Sequence, residues 1–510
     1  MGNIKKFRLD DHQKFKGMWA LSLSGLFEKN SFTFSDESRP GNLELSEGRI
    51  TLDLNGSFNE FNSNLTEETY RIYGYLSSGL FVILEKCFIT STSFNAPGYV
   101  VETYHASLAY ILAKNPMDED FNAEAKIVAT KVYFGIDYLD DWFNIDLPSY
   151  EDSNDTEGFS IHHNNTFFDE NKFEVDDGNY IVRLQRKLMA NQIMDQGARA
   201  IYDPFISITT KDFTEKSIET LFETASWVLR FTDFITQTFG KYNYFEFYLE
   251  DEINNDSVET LENGDYVFHN PIYRGRLIFP QTSKKARKLS RNALKLLNIK
   301  SDYEKLISAW FEKKDELKYI IDLYYQNMIS DIDIETVLVN HIKMMETYYD
   351  NCLQGKSENI SDEEARVEEV KDQIKDWMVE SGIEVPIKEE IIKKLDRASK
   401  PVINLREKLT VLLEGLPIEL KCIYLDIDPE WENDEDFFKE YAERLRDTRN
   451  FYTHGANENK NKKRLETTND LVTASSVLEC VMYYYVLKSI YGEDNDQLIF
   501  QLPYLMSKIK

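Results

Sequence analysis

Arg444-Leu445-Arg446-Asp447-Thr448-Arg449-Asn450-Phe451-Tyr452-Thr453-His454-Gly455 is the stretch from which the rest of the chain can be read. An arginine and a histidine with four residues between them can bring a permanent cation and a proton-transfer group to one phosphodiester. Arginine stays charged and forks onto phosphate oxygens. Histidine titrates near neutral pH, so it can take or give a proton. Such a pair suffices to cleave RNA without a metal: the 2′-hydroxyl attacks, and the protein supplies base, acid and charge stabilisation.

The bare spacing is common. With 19 Arg and 7 His in 510 residues, it is expected about 0.8 times from composition alone when spacers of four to six residues are allowed. Context sharpens it. Asn450 follows the arginine directly and Gly455 follows the histidine. Phe437 to Leu445 reads as a helix running into the motif, and Gly455 as the residue that stops it. Asn450 and His454, four apart, share a helix face. Arg449 and His454, five apart, splay on a regular helix. Both reach one phosphate only if the last turn unwinds or if a second subunit completes the site. The plain alternative is a capped helix end carrying a surface histidine.

Arg-Asn-x-x-x-His-Gly near the end of a C-terminal helical region resembles the HEPN ribonucleases. More narrowly, RLRDTRNFYTHG after a long helical segment resembles the HEPN domain of the ApeA-like abortive-infection proteins of bacteria. Gly17-Met18-Trp19, Gly25-Leu26-Phe27 and Gly48-Arg49-Ile50-Thr51-Leu52 are similar to the strand-rich N-terminal region of that family. The resemblance implies a dimer in which two copies of the motif face one another. It implies that Arg449 grips the scissile phosphate, that His454 is general base or acid, and that Asn450 orients the histidine or the phosphate. Arg446, Asp447 and Tyr452 are supporting candidates. The implied activity is an endoribonuclease directed at host or tRNA-like RNA to halt phage propagation. The N-terminal region would sense a phage-encoded trigger or restrain the nuclease. A rival reading is a non-catalytic protein whose helical domain dimerises and whose N-terminal sheet holds a peptide or a phage protein.

Composition sets outer bounds. A chain of 510 residues, 42% hydrophobic, allows two or three domains with full cores. Cys87, Cys352, Cys422 and Cys480 are far apart, which argues against a zinc ribbon, a redox dithiol or a disulfide scaffold. No metal or other cofactor is expected, so the cleavage should be metal-independent and leave a 2′,3′-cyclic phosphate. No apolar run approaches the length of a membrane span. The start lacks the apolar core of a signal peptide, and Lys6 stands where a myristoylation signal has Ser or Thr. A reducing cytoplasm is the expected location.

The net charge of −30 repels nucleic acid at long range, so local distribution matters. Residues 137–177 carry 13 Asp/Glu against one Lys, residues 281–300 seven Lys/Arg and no acid, and residues 444–464 seven Lys/Arg against two acids. Lys284, Lys285, Arg287, Lys288 and Arg291 at the junction, and Lys462, Lys463 and Arg464 after the motif, are the candidate RNA-binding residues. The acidic stretch could lie against either basic segment and mask it.

The chain reads as α+β and multidomain: a β-rich region over 1–280, with a possible division near 135–180, a basic junction over 281–300, and an all-α bundle over 301–510. Strands are expected at 49–54, 80–84, 242–249 and 272–279, and a helix at about 214–239. Residues 146–177 read as an irregular connection. The C-terminal part reads as helices over about 302–323, 333–353, 362–382 (opened by Ser361 with Glu364), 387–414, 433–454 and 467–491. His162-His163 lies in acidic surroundings without a third ligand at diagnostic spacing, and His12, His105, His269 and His341 each stand alone. The last helix carries apolar residues round much of its surface, which points to a partner subunit.

Overall fold

The computed structural model describes residues 8–9, 11–28, 33–46, 49–58, 70–95, 98–112, 126–144, 149–152, 159–162, 166–193, 197–249, 272–282, 284–286, 288–290, 293–353, 370, 372–378, 391, 403–424, 435–455 and 461–492. The chain divides into two compact units, Met1–Glu312 and Lys313–Lys510. The first is β-rich and the second helical.

The main sheet of the first unit has 13 strands: β1 (Gln13–Ala20), β2 (Arg39–Ser46), β3 (Arg49–Asn55), β4 (Tyr70–Leu76), β5 (Phe81–Asn95), β6 (Tyr99–Ala106), β7 (Leu108–Leu112), β8 (Lys131–Ile136), β9 (Phe173–Val175), β10 (Tyr180–Ile193), β11 (Gly197–Thr210), β12 (Tyr242–Leu249) and β13 (Ile272–Ile278). They run antiparallel in the order β9-β10-β11-β8-β12-β13-β7-β5-β4-β1-β2-β3-β6. β6 also pairs with β5, so β1 to β6 close into a six-stranded barrel. β5 belongs to both parts. Phe81–Glu85 pair with β7 and Phe88–Asn95 with β6, and Lys86, at φ 52°, sits at the switch. Period-two patterning builds the barrel wall: Ile50, Leu52 and Leu54 of β3 are buried while Thr51 and Asp53 are not. Trp19 fills the interior, lying on Gly74 directly across the β1–β4 ladder; a Cβ at 74 would come within 2.2 Å of the indole.

The rest of the sheet is covered by helix α1 (Ile218–Thr236), capped by Ser217, whose hydroxyl accepts from the Thr220 N–H at 3.2 Å. Phe222 of α1 packs on Phe245 of β12 and on Phe279, ring centroids 5.5 and 4.6 Å apart. Helix α2 (Tyr303–Glu312) docks on α1 through Trp310 and Trp227, whose rings stack at 4.9 Å. Each indole donates to the other's backbone carbonyl, at 3.2 and 3.3 Å. The single helix expected over 302–323 is therefore two helices, broken at Lys313, and the first belongs to the β-rich unit.

The described residues of the acidic connection at 146–177 contain regular structure. The connection holds a hairpin of Ser149–Asp152 with Phe159–His162, a helix at Thr166–Glu170, and β9. Among its described residues, Phe168, Phe173 and Val175 are buried between the acids, and the density of charge hid that alternation. The acidic segment 137–177 meets the basic junction through aromatic groups: the Trp142 indole donates to the Leu294 carbonyl at 3.2 Å, and the Lys300 ammonium lies 4.9 Å from the Phe167 ring centre. β8, which ends as 135–180 begins, is flanked in the sheet by β11 and β12 from after that stretch.

The second unit contains α3 (Lys314–Ile329), α4 (Ile334–Tyr348) with a π-helical turn at Tyr349–Leu353, α5 (Leu405–Glu414), α6 (Glu435–His454) and α7 (Thr468–Tyr491). α4 is the hub, packed by α3, α5, α6 and α7. The helix expected over 387–414 does not run through, because Asn404 opens α5 with a capping box to Glu407 after Pro401. The Ser361–Glu364 cap lies outside the described residues, as does His163. α7 starts at a capping box of Thr467 and Asp470. Its apolar residues, from Leu471 to Tyr491, are buried within the chain itself. The surplus apolar surface that pointed to a partner subunit is thus largely used internally, although Val472 stays 45% exposed. Cys87, Cys352 and Cys480 are buried. Among the described residues no helix is long and apolar enough to cross a membrane.

Candidate active site at the end of α6

α6 emerges from the bundle along its length. Phe438, Ala442 and Leu445 are buried at helical spacing against the core. Asp447 and Thr448 are also buried, Arg449 and Asn450 are half-buried, and Tyr452, Thr453, His454 and Gly455 are exposed. Helical geometry persists to His454, and Gly455 follows at φ +79°. The last turn does not unwind. Residues five apart on an α-helix point about 140° away from each other, so Arg449 and His454 leave α6 in different directions.

Arg449 turns toward α4. Its Nη2 lies 3.6 Å from a Glu346 carboxylate oxygen and its Nη1 donates to Asn450 Oδ1 at 3.2 Å. Its Nε is buried without a hydrogen-bond partner among the described residues. A guanidinium has five donors in a rigid fork, so this one keeps unused capacity for an anion. The side-chain oxygen of Asn450 thus faces the arginine. Glu346 has a second cation nearby, Lys408 of α5, whose Nζ is 4.0 Å away and pairs with Asp350 at 2.7 Å. Lys408, Glu346 and Arg449 thus join α5, α4 and α6 behind the motif. His454 has no hydrogen-bond or ion-pair partner among the described residues.

Asp447 and Arg446 have a bracing role. Asp447 accepts from Arg446 Nε and Nη2 at 3.0 and 2.7 Å and from the Lys463 backbone N–H at 3.3 Å. Thr448 accepts from the Leu465 N–H at 2.9 Å. These bonds pin the chain after the motif back onto α6. Lys463 pairs with Glu443 at 3.0 Å, and that contact holds the Glu443 carboxyl below its usual range. The Arg464 guanidinium lies 4.2 Å over the Phe451 ring. Tyr452 packs edge-on against Phe451, and its phenol is raised, first by partial burial and then by Glu335.

The structure thus brings Arg446, Asp447, Arg449, Asn450, Tyr452, His454, Lys463 and Arg464 into one neighbourhood, with Lys462 exposed beside them. Lys284, Lys285 and Lys288 belong to the first unit, with Lys285 and Lys288 exposed. Arg287 and Arg291 lie outside the described residues. No group of three or more His, Cys, Asp or Glu suited to a metal occurs among the described residues. Glu346 and Lys408 carry no local signal in the sequence, because folding alone brings them to the motif.

Two comparisons with known families bear on this geometry. The family described as ApeA N-terminal domain 1 matches residues 14–310, and the family described as Apea-like HEPN matches residues 339–496. The second match contains α6 and the whole arginine–histidine motif. No curated protein and no solved structure matches the chain.

Proposed function

The chain belongs to the ApeA family and carries its HEPN domain, and from that premise we propose that it is a metal-independent endoribonuclease of phage defence. HEPN domains are generally ribonucleases, which makes an abortive-infection role the coarse expectation. The finer reading rests on the motif. Arg449, with its under-satisfied guanidinium, receives the scissile phosphate and stabilises the charge that develops on it. His454 moves a proton, either from the attacking 2′-hydroxyl or to the departing 5′-oxygen. The products are a 2′,3′-cyclic phosphate and a 5′-hydroxyl.

The observation that carries this reading is the unbroken helix through His454. One chain offers Arg449 and His454 on different sides of α6. A two-fold dimer lets Arg449 of one subunit and His454 of the other converge, and an isologous interface does so twice. The substrate is RNA, with structured tRNA-like RNA favoured because the molecule is strongly acidic outside its basic segments. The N-terminal unit recognises the infection trigger. Expression of the wild type beside His454→Ala, with growth and total RNA followed, tests the reading: the wild type should arrest growth and fragment RNA, and the variant should do neither.

A further inference from the structure

Helix geometry assigns His454 a neighbour that the arginine–histidine motif does not contain. Phe451 precedes His454 by three residues, so the two side chains lie about 60° apart on one face of α6, whereas Arg449 lies about 140° from His454. The cation on that shared face is Arg464, with its guanidinium 4.2 Å over the Phe451 ring. We infer that Arg464 is a substrate-positioning residue of the ribonuclease site. It would hold an RNA phosphate next to the scissile one on the side of His454, in the same chain as that histidine.

Arg464 is fixed before any substrate arrives. The residue before it donates its backbone N–H to Asp447, and the residue after it donates to Thr448, at 3.3 and 2.9 Å. Leu465 and Thr448 are 3% and 0% exposed, so this pin sits in the core. The backbone on both sides of Arg464 is therefore tied to α6 at the two positions directly before Arg449, and the Phe451 ring lies under the guanidinium. Its neighbour Lys463 is committed to Glu443 at 3.0 Å. Arg464 itself has no carboxylate partner among the described residues and is half-exposed. A guanidinium held over an aromatic ring interacts with it through its charge and keeps N–H groups for phosphate oxygens. Little side-chain freedom remains to be lost when it binds. Among the acids of α6, Glu443 and Asp447 are the nearest to the motif, and they pair with Lys463 and Arg446.

This inference rests on the ribonuclease reading above, and the test separates the two. A labelled 12-residue single-stranded RNA of mixed sequence is the probe, with the full-length chain. Binding is measured in a His454→Ala background, with and without Arg464→Ala, across a salt series; cleavage is measured for Arg464→Ala alone. Arg464→Ala should weaken binding about tenfold and reduce the salt slope by about 0.7, the single-strand value for one phosphate contact. It should raise KM by a similar factor with kcat little changed. Phe451→Leu keeps the charge and loses the shelf, so it should weaken binding less and leave the slope unchanged. Arg464→Ala that binds and cuts like an active wild type overturns this proposal alone, as does a fall in kcat with KM unmoved. A folded wild type that neither binds nor cuts RNA overturns both this proposal and the ribonuclease reading.

Discussion

Glu346 on α4 holds Arg449 on α6 across 3.6 Å, and the other partner of that arginine among the described residues is the side-chain oxygen of Asn450 beside it. An ion pair this long and partly exposed contributes about 0–1 kcal/mol. A phosphate that offers two oxygens to the guanidinium fork displaces it readily. Arg449→Ala should therefore lower RNA cleavage by at least about 10²-fold while the melting temperature moves by no more than a few degrees. Single-turnover cleavage beside a thermal melt checks this. A folded variant that cuts at the wild-type rate contradicts it.

Metal removal should leave the chemistry intact. The described residues offer no ligand cluster, and the proposed step needs only a proton carrier and a cation. Cleavage of a short unstructured RNA should persist in EDTA, and its product should carry a 2′,3′-cyclic phosphate. Loss of activity that magnesium restores on that substrate would count against the mechanism. A short substrate is needed because larger RNAs can require magnesium for their own folding.

A pH dependence of stability follows from His341. It is buried between α4 and α7, with Nδ1 3.0 Å from Ser475 Oγ, and burial pushes its pKa from 6.5 down to about 4. The unfolded chain takes up this proton below pH 6.5, whereas the folded chain resists until about pH 4. The folded state binds fewer protons in that window, so stability is full above pH 6.5 and falls as the pH drops through it, by about 3 kcal/mol in total. Denaturant unfolding between pH 7 and pH 4 should show this slope, and His341→Gln should flatten it by nearly one proton. An unchanged slope in the variant would show that other groups carry the dependence.

Trp227 and Trp310 make a prediction for the first unit. Their stacked rings and reciprocal indole-to-carbonyl bonds hold α2 on α1. Trp310→Ala removes a fully buried ring and leaves the Trp227 carbonyl without its donor, so it should cost about 3–5 kcal/mol. Chemical denaturation monitored by tryptophan fluorescence reads this directly. A loss below about 1 kcal/mol would mean that α2 is held by other contacts.

Much of this architecture was legible where local signals agree. Strand 242–249 is flanked by breakers and rich in aromatics, and α6 and α7 have helical spacing with recognisable stops and caps. The legibility failed where long-range contacts decide. Apolar periodicity ran through Lys313, but Trp310 finds its partner in Trp227, 83 residues earlier in the chain. Asn404 capped a helix that looked continuous. The acids of 146–177 masked the alternation of Phe173 and Val175. At the site, the motif singled out Arg449, Asn450 and His454 as candidates, and its spacing already put Asn450 and His454 on one helix face and Arg449 on another. It gave no view of Glu346 or Lys408, which reach the motif only through packing, nor of Phe451 as the seat of Arg464.

The account stands most directly on a complementation experiment. In the proposed composite site, Arg449→Ala and His454→Ala chains should each be inactive. Co-expressed, they should form mixed dimers that keep one intact pair, Arg449 from one chain and His454 from the other. If half of the dimers are mixed and each has one of two sites, RNA cleavage should recover to about a quarter of the wild-type level. Cleavage that stays at the level of the single variants would contradict a site shared across two subunits.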